Sequence, residues 1–353
     1  MLLPFFLLTY KEVKGIEQLK EVLKHYGLEQ FRAEQITPRL WKIYSQNGIF
    51  ALKMSSLTPT TLNNWYEVYQ LREKRQLSFI LPVFQNLKGT IFTLRQSAIY
   101  YVMPWVGQQE NTPMNLSYKD FFGVLGSLHD VTKQRHYVNL SLTEEQIKRD
   151  KLETEKKLSS LVDYVEQVEQ KRYLSPFGLE LCTQFHEIEP IFQKLNNWYD
   201  NYLIDIKEEE IGYQSVCHGF ATTSHYVATD DYGYLINWEH THIGDPMTEI
   251  ASFVYYQTAT HDTDMSQITQ AIPYYEKNYP LTNSQRGLLA IYLLQPDPYL
   301  KTIKQYFERE SKQIELIPSL IQGYRRLMAG LMVQEQQQIA REKMIENNQE
   351  EQT

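Results

Sequence analysis

Residues 216–253 read VCHGFATTSHYVATDDYGYLINWEHTHIGDPMTEIASF, and the fold turns on them. A short apolar run reaches His218-Gly219, which opens a loop of small and polar residues. Two strand-like runs then flank the turn Asp230-Asp231-Tyr232-Gly233, where Asp and Gly supply turn chemistry. Trp238-Glu239 follows, and Gly244-Asp245-Pro246 stands before a helix that carries Glu249 and Ala251. Each fragment is weak alone, whereas the ordered, gapless series is specific.

That series resembles the catalytic stretch of the aminoglycoside phosphotransferase and choline kinase family. There a His-Gly-Asp element leads to an Asn, a short hairpin, a hydrophobic-Asp-aromatic-Glu element and Gly-Asp-Pro before a helix. The resemblance implies an α+β, two-lobed protein-kinase-like fold. Its N-terminal lobe would be a small antiparallel sheet, and its larger C-terminal lobe mainly helical.

The departures from the family pattern fall on the chemical positions. The catalytic-loop Asp, which orients the attacking hydroxyl and accepts its proton, matches Phe220, and a phenyl ring does neither. The magnesium-binding Asn matches His225, and imidazole is a poor ligand for a hard cation. The main metal-binding Asp matches Asn237, which keeps a carbonyl oxygen and loses the charge. Phosphoryl transfer depends on positioning and charge neutralisation, so no intact catalytic set is expected. His218 and Asp245 are the retained motif residues, Asp245 being the family's structural brace for the catalytic loop. Asp230-Asp231 reads as a solvated turn. Asn237 and Glu239, two residues apart, are the weak candidate metal ligands that remain, and magnesium is disfavoured.

The N-terminal part fits the same resemblance. Phe50-Ala51-Leu52-Lys53 ends a strand as the family's phosphate-binding lysine does, with Glu67 on the next helix as its ion-pair partner and Glu73 as the alternative. Without the downstream motif, Lys53 would read as a surface lysine at a strand end. The run YYVMPW at 100–105 resembles the hinge strand and places Met103 in the candidate nucleotide cleft, although Pro104 offers no amide hydrogen. The preceding loop, YSQNG at 44–48, has a single glycine where a phosphate cradle usually has several. ATP therefore stands as the candidate cofactor with a weak grip, and another small molecule could occupy the same cleft.

Among the other histidines, His129-Asp130 ends a helix and reads as a packing position. His240 and His242 with His225 would make a nitrogen-rich group better suited to zinc than to magnesium, which is the weaker reading.

Composition bounds the rest. In 353 residues, 42% are hydrophobic and 22% charged, which suits a soluble globular chain with a sizeable core. A net charge of −8 argues against nucleic acid as a partner. The 26 tyrosines against 15 phenylalanines fit either an amphipathic surface or a habit of lineage. Cys182 and Cys217 have no metal or disulfide spacing and suit a reducing compartment. The apolar start, Met1 to Tyr10, is too short to span a bilayer and lacks a basic n-region, so a cytoplasmic protein without a membrane span is expected.

Periodicity predicts a helix over 15–27, strands over 36–54 turning at Asn47-Gly48, and a helix capped near Thr60 or Thr61 that carries Trp65, Val68 and Leu71. Further strands run to a linker at 107–113. Phe121, Phe122, Leu125 and Leu128 mark an amphipathic helix, and 143–172 a half-exposed one. The expected organisation is a poorly ordered leader at 1–15, a small lobe at 16–106, a helical lobe at 107–333, and a Gln- and Glu-rich tail at 334–353 that frays.

Within the superfamily, the hinge YYVMPWV, the Lys- and Glu-rich helix after GSLHDVTK and the tyrosine-rich C-terminal part resemble the spore coat kinase-like family of the CotS type, with its YsxE- and YutH-like relatives. This resemblance implies a catalytically impaired, pseudokinase-like component or assembly factor. It would be made in the mother-cell cytoplasm, deposited in the spore coat during sporulation and partnered by coat proteins. The alternative is an active ATP-dependent phosphotransferase acting on a small molecule or a protein hydroxyl.

Overall fold

The computed structural model describes residues 10–106, 117–229, 233–259, 263–308 and 313–351. The described chain divides into two compact units. The first takes residues up to 106 together with 224–241, and the second takes 117–223 together with residues from 242 onward.

The first unit begins with helix α1 (Tyr10–Lys24), followed by strands β1 (Phe31–Thr37), β2 (Leu40–Ser45) and β3 (Gly48–Met54). After α2 (Pro59–Arg75) come β4 (Thr93–Arg95) and β5 (Ala98–Pro104). The sheet is wholly antiparallel in the order β1-β2-β3-β5-β4. Ser45 pairs with Gly48, so the hairpin's central residues are Gln46 and Asn47, one position earlier than the Asn-Gly pair suggested. Gly48, at φ 124°, follows the turn in a conformation that only glycine adopts without strain. β1 was not foreseen in full: its outer edge is open, and mainly Phe31 and Ala33 reach the core.

Side chains alternate across the sheet, and this places the site. Ile43, Leu52, Tyr100 and Val102 point to one face and pack with Leu19, Val22 and Leu23 of α1. The opposite face carries Lys53 directly across from Tyr101, and Ala51 across from Met103. Helix α2 is capped by Thr58 rather than by Thr60 or Thr61. Thr58 and Thr61 bond reciprocally as a capping box and Pro59 takes the first helical position, where its missing N–H is not needed.

Residues 224–241, expected with the helical lobe, belong to the first unit. They contain β8 (Tyr226–Ala228) and β9 (Gly233–Leu235), which pair with each other. Leu235 N–H donates to Phe79 O at 2.7 Å, and Asn64 Nδ2 donates to Thr241 O at 3.3 Å. Leu235 and Trp238 are fully buried, which explains why this segment stays with the sheet-bearing unit. The turn residues Asp230 to Tyr232 and the linker at 107–113 lie outside the described residues.

The second unit contains α3 (Tyr118–Val131), β6 (Gln134–Tyr137), α4 (Leu140–Glu169), α5 (Pro176–Glu209), β7 (Ile211–Cys217), β10 (His242–Gly244), α6 (Pro246–Gln257), α7 (Met265–Asn278), α8 (Asn283–Leu294), α9 (Asp297–Glu308) and α10 (Ile317–Glu351). Strands β10, β7 and β6 form a small antiparallel sheet. Phe121 stacks on Phe253 of α6 at 4.5 Å, confirming the apolar stripe on α3. A Cβ on Gly126 would stand 2.6 Å from Tyr275 O, so glycine is what lets α3 and α7 approach. Among the described residues, no helix is long and apolar enough to cross a membrane.

Two boundary expectations are corrected. Part of the expected leader is helical, because α1 already begins at Tyr10. The tail from 334 does not fray: α10 runs unbroken to Glu351. From 334 onward its buried residues Gln334, Gln337 and Arg341 are polar, and each finds a distant partner. Trp198 Nε1 donates to Gln334 Oε1 at 2.8 Å, Arg286 donates to Gln337 Oε1 at 2.6 Å, and Arg341 makes two 2.7 Å bonds to the Asp205 carboxylate. Composition alone registers these residues as hydrophilic and cannot see that they are paired.

Candidate functional site

The first group of site residues lies within the first unit. Lys53, projected from the end of β3, donates to Asn237 Oδ1 and pairs with Glu239 Oε1 at 3.2 Å. Asn237 adopts the left-handed conformation, φ 69°, and opens a single 3-10 turn over Trp238–His240. That turn brings Glu239 round to the same lysine. Asn237 Nδ2 lies 2.8 Å from His225 Nε2, so the amide spans Lys53 on one side and the imidazole on the other.

Glu239 is buried and its carboxylate is fully engaged. Oε1 accepts from Tyr101 Oη at 3.3 Å as well as from Lys53. Oε2 accepts from the Ser56 amide at 3.2 Å and from Ser56 Oγ. Burial pushes this carboxyl upward, but Lys53 and the two Ser56 donors outweigh it and hold the group below its ordinary range.

Glu67 is therefore not the partner of Lys53. It sits on the exposed face of α2, while Trp65, Val68 and Tyr69 of that helix face inward. Glu73 pairs with Arg72. Met103 is buried on β5, on the sheet face that carries Lys53 and Tyr101.

The second group lies within the second unit. His218, Gly219 and Phe220 follow β7. The Glu249 carboxylate accepts from the His218 amide at 3.0 Å, from the Gly219 amide at 2.6 Å and bonds His129 Nε2 at 2.9 Å. Its burial is overcome by His129 and His218, and the carboxyl is held low. His129 Nδ1 meets Tyr275 Oη at 2.8 Å, in keeping with a packing role. Gly219, at φ 80°, makes the backbone turn that presents two successive amides to one carboxylate. The Phe220 ring is half-buried and lies edge-to-face against Tyr256, with centroids 5.0 Å apart.

The brace on this loop is thus Glu249, which the sequence reading named only as part of a helix. Asp245 caps α6 by accepting from the Met247 amide at 2.9 Å and takes Tyr292 Oη at 3.0 Å; burial raises its carboxyl. A signal for Glu249 was present: it lies one helical turn before Phe253 as the one charged residue of 246–257, and a buried acid there must be paired.

The three histidines 225, 240 and 242 are not brought together as a metal group. Among the described residues the one set with metal-compatible spacing is His129, Cys217 and Glu249. There both imidazole nitrogens already have partners and burial pushes the Cys217 thiol far up, so the set is a satisfied core network.

The kinase-like sequence pattern implies a magnesium nucleotide, and the donors do not fit it. Magnesium asks for an octahedron of oxygens, usually with a carboxylate. At the two family positions stand an imidazole and an amide that bond each other, and the amide oxygen already receives an ammonium. The nearby carboxylate of Glu239 has donors on both oxygens.

No family profile matches the sequence, and no curated protein matches it. Solved structures do. An aminoglycoside phosphotransferase from Alicyclobacillus acidocaldarius superposes with a TM-score of 0.65 at 13% identity, covering 92% of this chain and 96% of its own. The AMP-bound spectinomycin phosphotransferase gives 0.50 at 13% identity, covering 89% and 98%. A microcompartment-associated aminopropanol kinase gives 0.50 at 10% identity, covering 92% and 98%. The chain has the two-lobed, kinase-like fold of these phosphotransferases, with a small antiparallel sheet in its N-terminal part and a mostly helical C-terminal part.

Proposed function

We propose that this is a kinase-like protein impaired in phosphoryl transfer, which acts through protein–protein contacts as a spore coat component or coat-assembly factor. The observation that carries the impairment is the closed set Lys53–Asn237–His225 with Glu239. The groups that would neutralise phosphate charge are spent on one another, and Phe220 supplies no base. The coat role rests on the resemblance of the hinge, the charged α4 segment and the tyrosine-rich C-terminal part to the CotS-type family.

A second reading, an active phosphotransferase on a small molecule or protein hydroxyl, is favoured by one feature: the strand-end lysine is kept with an acidic partner. The test is thermal shift with ATP, with and without magnesium, followed by a phosphate-transfer assay. Little shift, or one independent of magnesium, with no transfer is expected. A large magnesium-dependent shift with transfer abolished by Lys53→Ala would defeat the impaired reading. The coat role is checked separately, by whether a tagged chain fractionates with the spore coat.

A further inference from the structure

We infer that the outer edge of β1 is a self-association surface, on which a second copy of this chain lays its own β1 antiparallel about Ala33. The strand reads Phe31-Arg32-Ala33-Glu34-Gln35-Ile36-Thr37 and is paired along one side only, by β2.

The neighbouring hairpin decides which backbone groups of β1 face outward. Ser45 and Gly48 pair across a two-residue turn, and the pair that closes so short a hairpin is a hydrogen-bonded one. Ser45 therefore turns its N–H and C=O to β3, and by alternation Tyr44 and Lys42 turn theirs to β1. Ile49 keeps the same phase: its C=O faces away from β2 and accepts from the Trp105 amide at 3.1 Å. Tyr44 lies opposite Arg32 and Lys42 opposite Glu34, so Arg32 and Glu34 use their backbone groups on β2. Phe31, Ala33 and Gln35 direct theirs outward, and among the described residues no backbone bond from another element reaches them. The irregularity between Gln35 and Thr37 ends the usable edge.

Charge selects the occupant and the register. Arg32 and Glu34 are exposed on one face, where both meet Tyr44: the guanidinium stands 5.8 Å from the ring centroid, and the carboxylate accepts from Oη at 2.9 Å. When two copies of β1 run antiparallel, the outward groups allow hydrogen-bonded pairs only among Phe31, Ala33 and Gln35. Centring on Ala33 sets Ala33 against Ala33 and Phe31 against Gln35, which uses every outward group. Arg32 of each copy then faces Glu34 of the other in the closer, non-hydrogen-bonded pairs, with Cα atoms about 4.5 Å apart. Setting Phe31 against Ala33 would instead oppose Arg32 to Arg32, and setting Ala33 against Gln35 would oppose Glu34 to Glu34; like charges directly opposite are destabilising. Registers centred on Phe31 or Gln35 leave most outward groups unpaired. Charges on an edge strand ordinarily deter pairing, but these two repel in the shifted registers and attract in one. Phe31 and Ala33 pack toward the α1 side, so in that register the α1-covered faces of the two sheets join on one side.

The experiment measures weight-average mass by sedimentation from about 5 µM to about 500 µM at low ionic strength, on the full chain as wild type, Arg32→Glu, Glu34→Arg and the double reversal, each checked for folding by circular dichroism. A single pair of edge strands makes a small interface of the weak class, so wild type should dimerise with a Kd of about 10–500 µM. Either single reversal puts like charges into both pairs and should weaken association at least about tenfold. The double reversal restores both pairs and should return to within about threefold of wild type. The decisive arm is an equimolar mixture of the two single variants: across the mixed interface every charge meets its opposite, so the mixture should associate at least about tenfold more tightly than either variant alone. A wild type that stays monomeric throughout would overturn the inference and leave the edge to an extended segment of another protein. Association indifferent to both reversals, or a mixture no tighter than its parts, would overturn it as well. Should a single variant fail to fold, Ala33→Pro decides: it deletes the central outward N–H from both copies and leaves the ladder to β2 intact, so a lost dimer supports the inference and an undiminished one refutes it.

Discussion

Replacing Arg341 by Met should destabilise the second unit severely, and replacing Asp205 together with it should restore most of the loss. The guanidinium makes a two-point fork to the carboxylate, both bonds 2.7 Å, with side chains only 9% and 3% exposed. Breaking one partner of such a buried pair leaves an uncompensated charge and costs about 3–5 kcal/mol, whereas an exposed pair is worth about 0–1 kcal/mol. At about 2–4 °C per kcal/mol for a unit of this size class, Arg341→Met should melt roughly 6–20 °C below wild type. Asp205→Leu should cost a similar amount. The double variant exchanges the pair for apolar contact and should lie within about 1–2 kcal/mol of wild type, giving a coupling of at least about 4 kcal/mol. Urea unfolding followed by circular dichroism measures all four proteins. A single variant within about 1 kcal/mol of wild type, or a double variant whose loss is the sum of the singles, would show that the far half of α10 is not locked to α5.

Two further outcomes follow from the second unit. The Glu249 carboxyl is held below its ordinary range, so its contribution is fully present above the unfolded carboxyl pKa near about 4.3 and is lost as pH falls through the lower folded value. Glu249→Gln should flatten that acid limb and lower neutral-pH stability by about 2–3 kcal/mol; an unchanged stability–pH curve would count against the brace. Gly126→Ala puts a methyl 2.6 Å from the Tyr275 carbonyl oxygen, and should cost about 1–3 kcal/mol as α3 and α7 are forced apart, read as a lower melting temperature.

What sequence could and could not show follows from the range of the interactions. The α3 stripe of Phe121, Phe122, Leu125 and Leu128 and the hairpin after Ser45 are local patterns, and both were legible. The partner of Lys53 was not. Helical phase places Glu67 on the next element, but whether a carboxylate reaches the lysine depends on the left-handed turn at Asn237, which no local pattern announces. The polar face of α10 misled for a related reason. Gln334, Gln337 and Arg341 look solvated in sequence, and only Trp198, Arg286 and Asp205, far away along the chain, make them interior residues. Glu249 had a readable sign as a lone charge among Met247, Ile250 and Phe253, yet the two loop amides that donate to it depend on the positive φ of Gly219.

The seam that joins residues 224–241 to the sheet has a consequence for how the chain is made. Lys53 meets Asn237 across 184 positions and Ser56 meets Glu239 across 183. As a ribosome extends the chain, β3 and β5 emerge early, and the face bearing Lys53 and Tyr101 then waits while α3, α4, α5 and β7 are synthesised. During that interval Trp65 of α2 already lies against Tyr101, but Lys53 and Ser56 still lack Asn237 and Glu239, and closing so long a loop is slow. Translation speed through the helical stretch, and any chaperone that shields the half-built sheet, would therefore set how much of the chain reaches its native state rather than aggregating on the way.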